Sequence, residues 1–168
     1  EDTAGTLLLG PAYVTTMQWT FAPKGDPREA VTIAPTRDGL RYEEHPPAHL
    51  RVRLACRLLE RMGFHKEAKR LAERWDEAIG HPQQLLVPTH AGWVAAPIAP
   101  ILDAVGQMAE RIYTTSLKTL RDEPLLHIAG FDYGPGRHAQ AEAARVHLRE
   151  GKPYFKDPRA IVAGAVLA

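Results

Sequence analysis

PPAHLRVRLACRLLERMGFHKEAKRLAERWDEAI, residues 46–79, decides the fold class. Leu50, Leu54, Leu58 and Met62 recur every fourth residue, with Ala55 and Leu59 beside them, so they share one face of a helix. Arg53, Arg57, Glu60 and Arg61 fall opposite. Pro46-Pro47 opens this helix and Gly63 closes it, the asymmetry helix ends prefer. A second helix follows at once, from 65 to about 79. Its buried face is predicted from Ala68, Leu71, Ala72, Trp75, Ala78 and Ile79. Two helices joined across Gly63-Phe64 make an αα-hairpin. The arginines of this stretch are thereby read as a solvated face.

Working outward, residues 1 to about 21 read as a buried helix kinked or broken at Pro11. Residues 22–44 are rich in Pro, Gly and charge and read as a connection, with a brief strand at Val31-Thr32-Ile33. On the other side, 81–90 reads as a connection, and a long helix is predicted from about 100 to 120. Ile101, Leu102, Val105, Met108, Ala109, Ile112 and Leu120 are its buried stripe. After a break at Asp122-Glu123-Pro124 and a short apolar piece, Gly134-Pro135-Gly136 turns into a helix at about 139–150. Asp157-Pro158 caps a last, apolar helix. The expected fold is all-α or mainly α, of about six helices including the αα-hairpin, with at most a short strand element. Trp75 and Trp93 are expected in the core or at a helix interface.

Composition narrows the function classes. Lys plus Arg is 21 against Asp plus Glu 20, so no net field points toward nucleic acid or anionic lipid. No apolar run approaches the ~20 residues of a membrane span. The lone Cys56 allows neither an intramolecular disulfide nor a thiolate metal cluster, which suits a reducing, cytoplasmic setting. Glu1 opens the chain in place of Met and the last residues are apolar without a cap. The chain, residues 1–168, therefore reads as a single helical domain or the C-terminal part of a larger one.

Two motifs carry chemistry. The first is Glu1-Asp2-Thr3-Ala4-Gly5, followed by Leu7-Leu8-Leu9. The second is His45-Pro46-Pro47-Ala48-His49-Leu50-Arg51. In this order they resemble the second half of a gluzincin metallopeptidase domain of the HtpX and prenyl-protein-protease kind. The resemblance covers about the first third of the chain. It implies that Glu1 is a zinc ligand, that His45 lies at the substrate carbonyl as a catalytic residue, and that Arg51 fixes its segment. It further implies zinc as cofactor, with a peptide or protein as substrate. Two histidines and a carboxylate leave zinc's fourth position to a water whose pKa falls to about 7. The family's His-Glu-x-x-His is absent from these residues and belongs upstream of Glu1. The family's Asp after Glu-x-x-Ala is Gly5 here.

Read without the resemblance, Glu1 is an exposed helix-end acid and His45 a turn histidine. The alternative function is a non-catalytic helical interaction or scaffold domain. A phosphate-cradling turn at Gly134–Gly136 ranks last. Asp132, Tyr133 and Arg137 read as a polar cluster without a specific role, and Cys56 as a structural thiol. The apolar C-terminal helix is a candidate surface for homo-oligomerisation.

Overall fold

A computed structural model describes residues 2–35, 45–118, 121–128 and 130–168. Among these, seven α-helices and two small antiparallel sheets are present: α1 (Asp2–Leu9), α2 (Pro11–Phe21), α3 (Ala48–Arg61), α4 (His65–Ala78), β1 (Gln84–Thr89), β2 (Gly92–Pro97), α5 (Ile98–Thr114), β3 (Ser116–Leu117), β4 (Glu123–Pro124), α6 (Pro135–Arg149) and α7 (Pro158–Leu167). The protein is thus mainly α with a short strand element. None of its described helices is long and apolar enough to cross a membrane.

The αα-hairpin of α3 and α4 is the centre of the core. Val52, Ala55 and Leu59 of α3 share one core cluster with Ala68, Leu71 and Trp75 of α4, all nearly inaccessible to water. Gly63, at φ +90°, makes the turn between them. Helix α5 packs along α3, and α1 and α2 cover the face that remains. The predicted break near Pro11 is a complete one. Gly10 sits at φ +56° and Pro11 starts α2 as its first residue, so α1 and α2 are separate helices. A Cβ on Gly10 would fall 2.4 Å from the ring of Tyr133, which fills the corner. Tyr133 is therefore a core residue rather than part of a polar cluster; only Asp132 and Arg137 pair as expected, at 2.8 Å.

Three expectations are corrected. The stretch 81–90 is not a plain connection, because β1 and β2 form a hairpin with Leu85 opposite Ala96 and Thr89 opposite Gly92. Pro88 and Pro97 within the strands masked it, since proline is tolerated only where the ladder leaves its nitrogen unpaired. Trp93 lies on β2 with 61 % of its surface exposed, not in the core. The long helix begins at Ile98 and ends at Thr114, short of Leu120. Its last turn meets Thr114 and Thr115, and Thr115 leaves the helix in an extended conformation, φ −77° and ψ 129°. Met108 of its predicted buried stripe is half exposed; Leu120 lies outside the described residues.

The brief strand expected at Val31-Thr32-Ile33 reduces to one bridge, Thr32 with Leu86, because Pro27–Val31 is a 3-10 turn capped by the Asp26 carboxylate. Helix α6 starts earlier than predicted, at Pro135, using the proline as its first residue. Helix α7 packs within the chain, burying Ala160, Ala163 and Gly164 against α6 and leaving Val162 half exposed.

Candidate functional site

The two motifs of the sequence meet through Arg51. Arg51 stands in the first turn of α3, and its Nε and Nη2 donate to the two carboxylate oxygens of Asp2 at 2.6 and 2.9 Å. A planar guanidinium opposite a carboxylate is the strongest of the common charged hydrogen-bond arrangements. The Tyr13 hydroxyl of α2 also donates to Asp2, at 3.2 Å, and the guanidinium lies 4.3 Å above the ring of Phe21. Both members of the ion pair are largely shielded, with side-chain exposures of 18 % and 19 %. Burial by itself would raise the Asp2 carboxyl, but the Arg51 guanidinium and the Tyr13 hydroxyl outweigh it and hold the group below its ordinary range. Helices α1, α2 and α3 are thereby stitched together at one end.

This geometry gives Asp2 a structural task that the sequence reading overlooked. Asp2 faces α3 and anchors its first turn. Gly5, one turn along α1, admits the ring of Tyr13: a Cβ there would lie 2.2 Å from it. Glu1, the expected zinc ligand, lies outside the described residues. His45 is exposed, in a bend that leads through Pro46 and the buried Pro47 into α3. The Pro47 carbonyl accepts from the Leu50 and Arg51 amides at 3.0 and 3.2 Å, so the rigid diproline delivers the chain directly into the helix.

A buried polar group beside this site escaped the sequence reading. His49 is 2 % exposed, and its Nδ1 lies 3.1 Å from the indole nitrogen of Trp75. An indole N–H only donates, so Nδ1 is the acceptor and the imidazole proton sits on Nε2. Among the described residues, Nε2 has no hydrogen-bond partner. Desolvation, with a smaller contribution from Arg53, pushes the imidazole down to about 4, so His49 is neutral at pH 7. The 3.9 Å approach of its Nδ1 to Asp76 Oδ1 is therefore not an ion pair at that pH. Asp76 is bound instead by Arg53, at 3.3 Å. The signal was present in sequence: His49 shares the helical face of Val52, Cys56 and Leu59, all buried.

The remaining candidates resolve simply. Cys56 is buried, and desolvation pushes its thiol up to about 12, which makes it unreactive. Gly134-Pro135-Gly136 is the entry to α6, a plain helix start. Among the described residues no group of three or more His, Cys, Asp or Glu is placed to hold a metal ion. No known protein family, curated protein or solved structure matches the chain.

Proposed function

We propose that this chain is the C-terminal helical portion of a zinc-peptidase-like protein, hydrolysing peptide bonds with a metal-activated water once an upstream His-Glu-x-x-His segment is joined to it. The observation that supports this reading is the Arg51–Asp2 ion pair. It ties the segment bearing His45 to the helix that begins beside Glu1, the two places where the resemblance puts catalytic function. On this reading Glu1 supplies the third protein ligand, and His45, on an exposed bend, is free to reach a substrate carbonyl. Zinc supplies the polarised water when bound. The residues of this chain contribute one carboxylate toward it and the rigid diproline that presents His45. One carboxylate does not hold zinc, so metal binding requires the two upstream histidines.

The test is Glu1→Ala in the polypeptide that includes the residues preceding Glu1. Zinc content and peptide hydrolysis should fall together. Full zinc occupancy in the variant, or no His-Glu-x-x-His among the upstream residues, would overturn the reading.

One observation favours the second reading, a non-catalytic helical interaction or scaffold domain. Where the family has an acidic residue, Gly5 stands under the Tyr13 ring, with no space for a side chain. A zinc-free protein that retains its full fold and its binding partners would support that reading.

A further inference from the structure

Among the described residues, two buried atoms beside the His49–Trp75 hydrogen bond that joins α3 to α4 have no hydrogen-bond partner: Nε2 of His49 and Oδ1 of Asp76. Such atoms are uncommon in a folded protein because each forfeits its hydration. Nδ1 of His49 and Oδ1 of Asp76 are 3.9 Å apart, and at neutral pH both are acceptors, so nothing joins them. A proton changes that. On Nδ1 it would be donated to the carboxylate; on Oδ1 it would be donated to the imidazole. Either location permits a His49–Asp76 hydrogen bond once the two atoms close from 3.9 Å to about 3 Å, and either removes Nδ1 as the acceptor of the Trp75 indole.

We infer that His49, Trp75 and Asp76 form an acid-sensitive latch between α3 and α4: one proton taken from solvent exchanges the His49–Trp75 hydrogen bond for a His49–Asp76 one. The inference is independent of the peptidase reading.

The charges around the latch are few. Arg53, on α3, acts on both His49 and Asp76, and His81, just after α4, acts on Asp76. From α1, Asp2 is engaged by Arg51. Helix α2 carries no Asp, Glu, Lys, Arg or His, and its Tyr13 donates to Asp2. Asp103, Glu110 and Arg111 of α5 lie with Arg57 and Arg61, toward the far end of α3. Arg28 and Glu29 of the 3-10 turn are exposed. Burial disfavours the charged forms of both His49 and Asp76, so the first proton belongs to the pair rather than to either residue.

The proposal is tested by following the Trp75 indole N–H and the His49 ring by NMR from pH 7.5 downward. The chain is folded at the start. A transition of both signals at one midpoint, at least tenfold higher in proton concentration than that of the ordinary imidazole at 6.5, is expected. His49→Asn keeps an acceptor near Nδ1 but does not titrate, and it should abolish the Trp75 transition. Asp76→Asn leaves no shared carboxylate, and it should move the midpoint to lower pH or remove it. If His49→Asn does not fold, the Asp76→Asn titration decides alone. An indole signal that stays constant until global unfolding would overturn the latch, as would a midpoint unchanged in Asp76→Asn.

Discussion

Arg51 in the first turn of α3 and Asp2 in the first turn of α1 are 49 residues apart in sequence and are joined by two hydrogen bonds of 2.6 and 2.9 Å. The pair is shielded and shared with Tyr13 and Phe21, so it differs from an exposed ion pair, which contributes at most about 1 kcal/mol. Arg51→Met should lower stability by about 2–3 kcal/mol in urea unfolding, because it leaves the Asp2 carboxylate shielded without its cation. Arg51→Lys should recover part of that loss, since an ammonium makes one contact where the guanidinium makes two. A loss below about 0.5 kcal/mol for Arg51→Met would show that the pair does not hold α1 to α3.

The same pair gives a pH dependence of fixed sign. The folded-state carboxyl of Asp2 is lowered relative to the unfolded chain, so its contribution is present above the ordinary Asp value of 3.8 and is lost as pH falls through the folded value. Asp2→Asn should therefore be destabilised at pH 7 and approach the wild type as pH falls from 3.8 through the lowered folded value, as read by paired urea titrations.

His49 acts in a higher window. Its folded-state value of about 4 lies below the ordinary imidazole value of 6.5, so the unfolded chain binds the extra proton between them. Stability should fall as pH drops from 6.5 toward 4, by on the order of 3 kcal/mol in total. His49→Asn should flatten that slope. A wild-type stability that is level from pH 6.5 to 4.5 would contradict the buried neutral imidazole.

The contact of α6 with α7 depends on a missing side chain. A Cβ on Gly164 would lie 2.8 Å from both the Ala141 carbonyl oxygen and the Ala144 Cβ, and 2.9 Å from the Arg145 amide nitrogen. Backbone atoms cannot step aside cheaply, so Gly164→Ala should cost about 1–3 kcal/mol despite the better helix propensity of alanine. Gly136→Ala, in the first turn of α6 with nothing within 4 Å of the added atom, should be neutral or stabilising by up to about 1 kcal/mol. Thermal unfolding of the two variants, side by side, separates packing from propensity.

Cys56 supplies a simple probe of global opening. Burial and a thiol pushed up to about 12 leave it without accessible thiolate in the folded state. Alkylation at pH 8 should be slow and should accelerate in step with unfolding by denaturant. Rapid labelling of the native protein would show that α3 is open at Cys56.

Most of the helical architecture was legible in sequence because its signals are local. The four-residue spacing from Leu50 to Met62, the diproline before Ala48, the glycine at 63 and the Asp157-Pro158 pair each act through neighbours a turn away. The mainly α fold follows from these alone. The β1–β2 hairpin was hidden because Pro88 and Pro97 argue locally against strands, and only pairing between Gln84 and Pro97 at its two ends makes the segment extended. Trp93 is expected in the core or at a helix interface, but it lies on β2, where Gly92 to Ala95 are exposed on both faces of a two-stranded ribbon.

The candidate site divides in the same way. The sequence by itself determined which residue types are present: Glu1, His45 and Arg51, in an order that resembles a peptidase. Only the tertiary structure decided that Arg51 binds Asp2, that Gly5 makes room for Tyr13, and that His49 is buried against Trp75. Those facts are contacts between helices distant in sequence. A residue's type fixes what it can bond, but its partner is set by how the helices pack, and packing is a property of the whole chain.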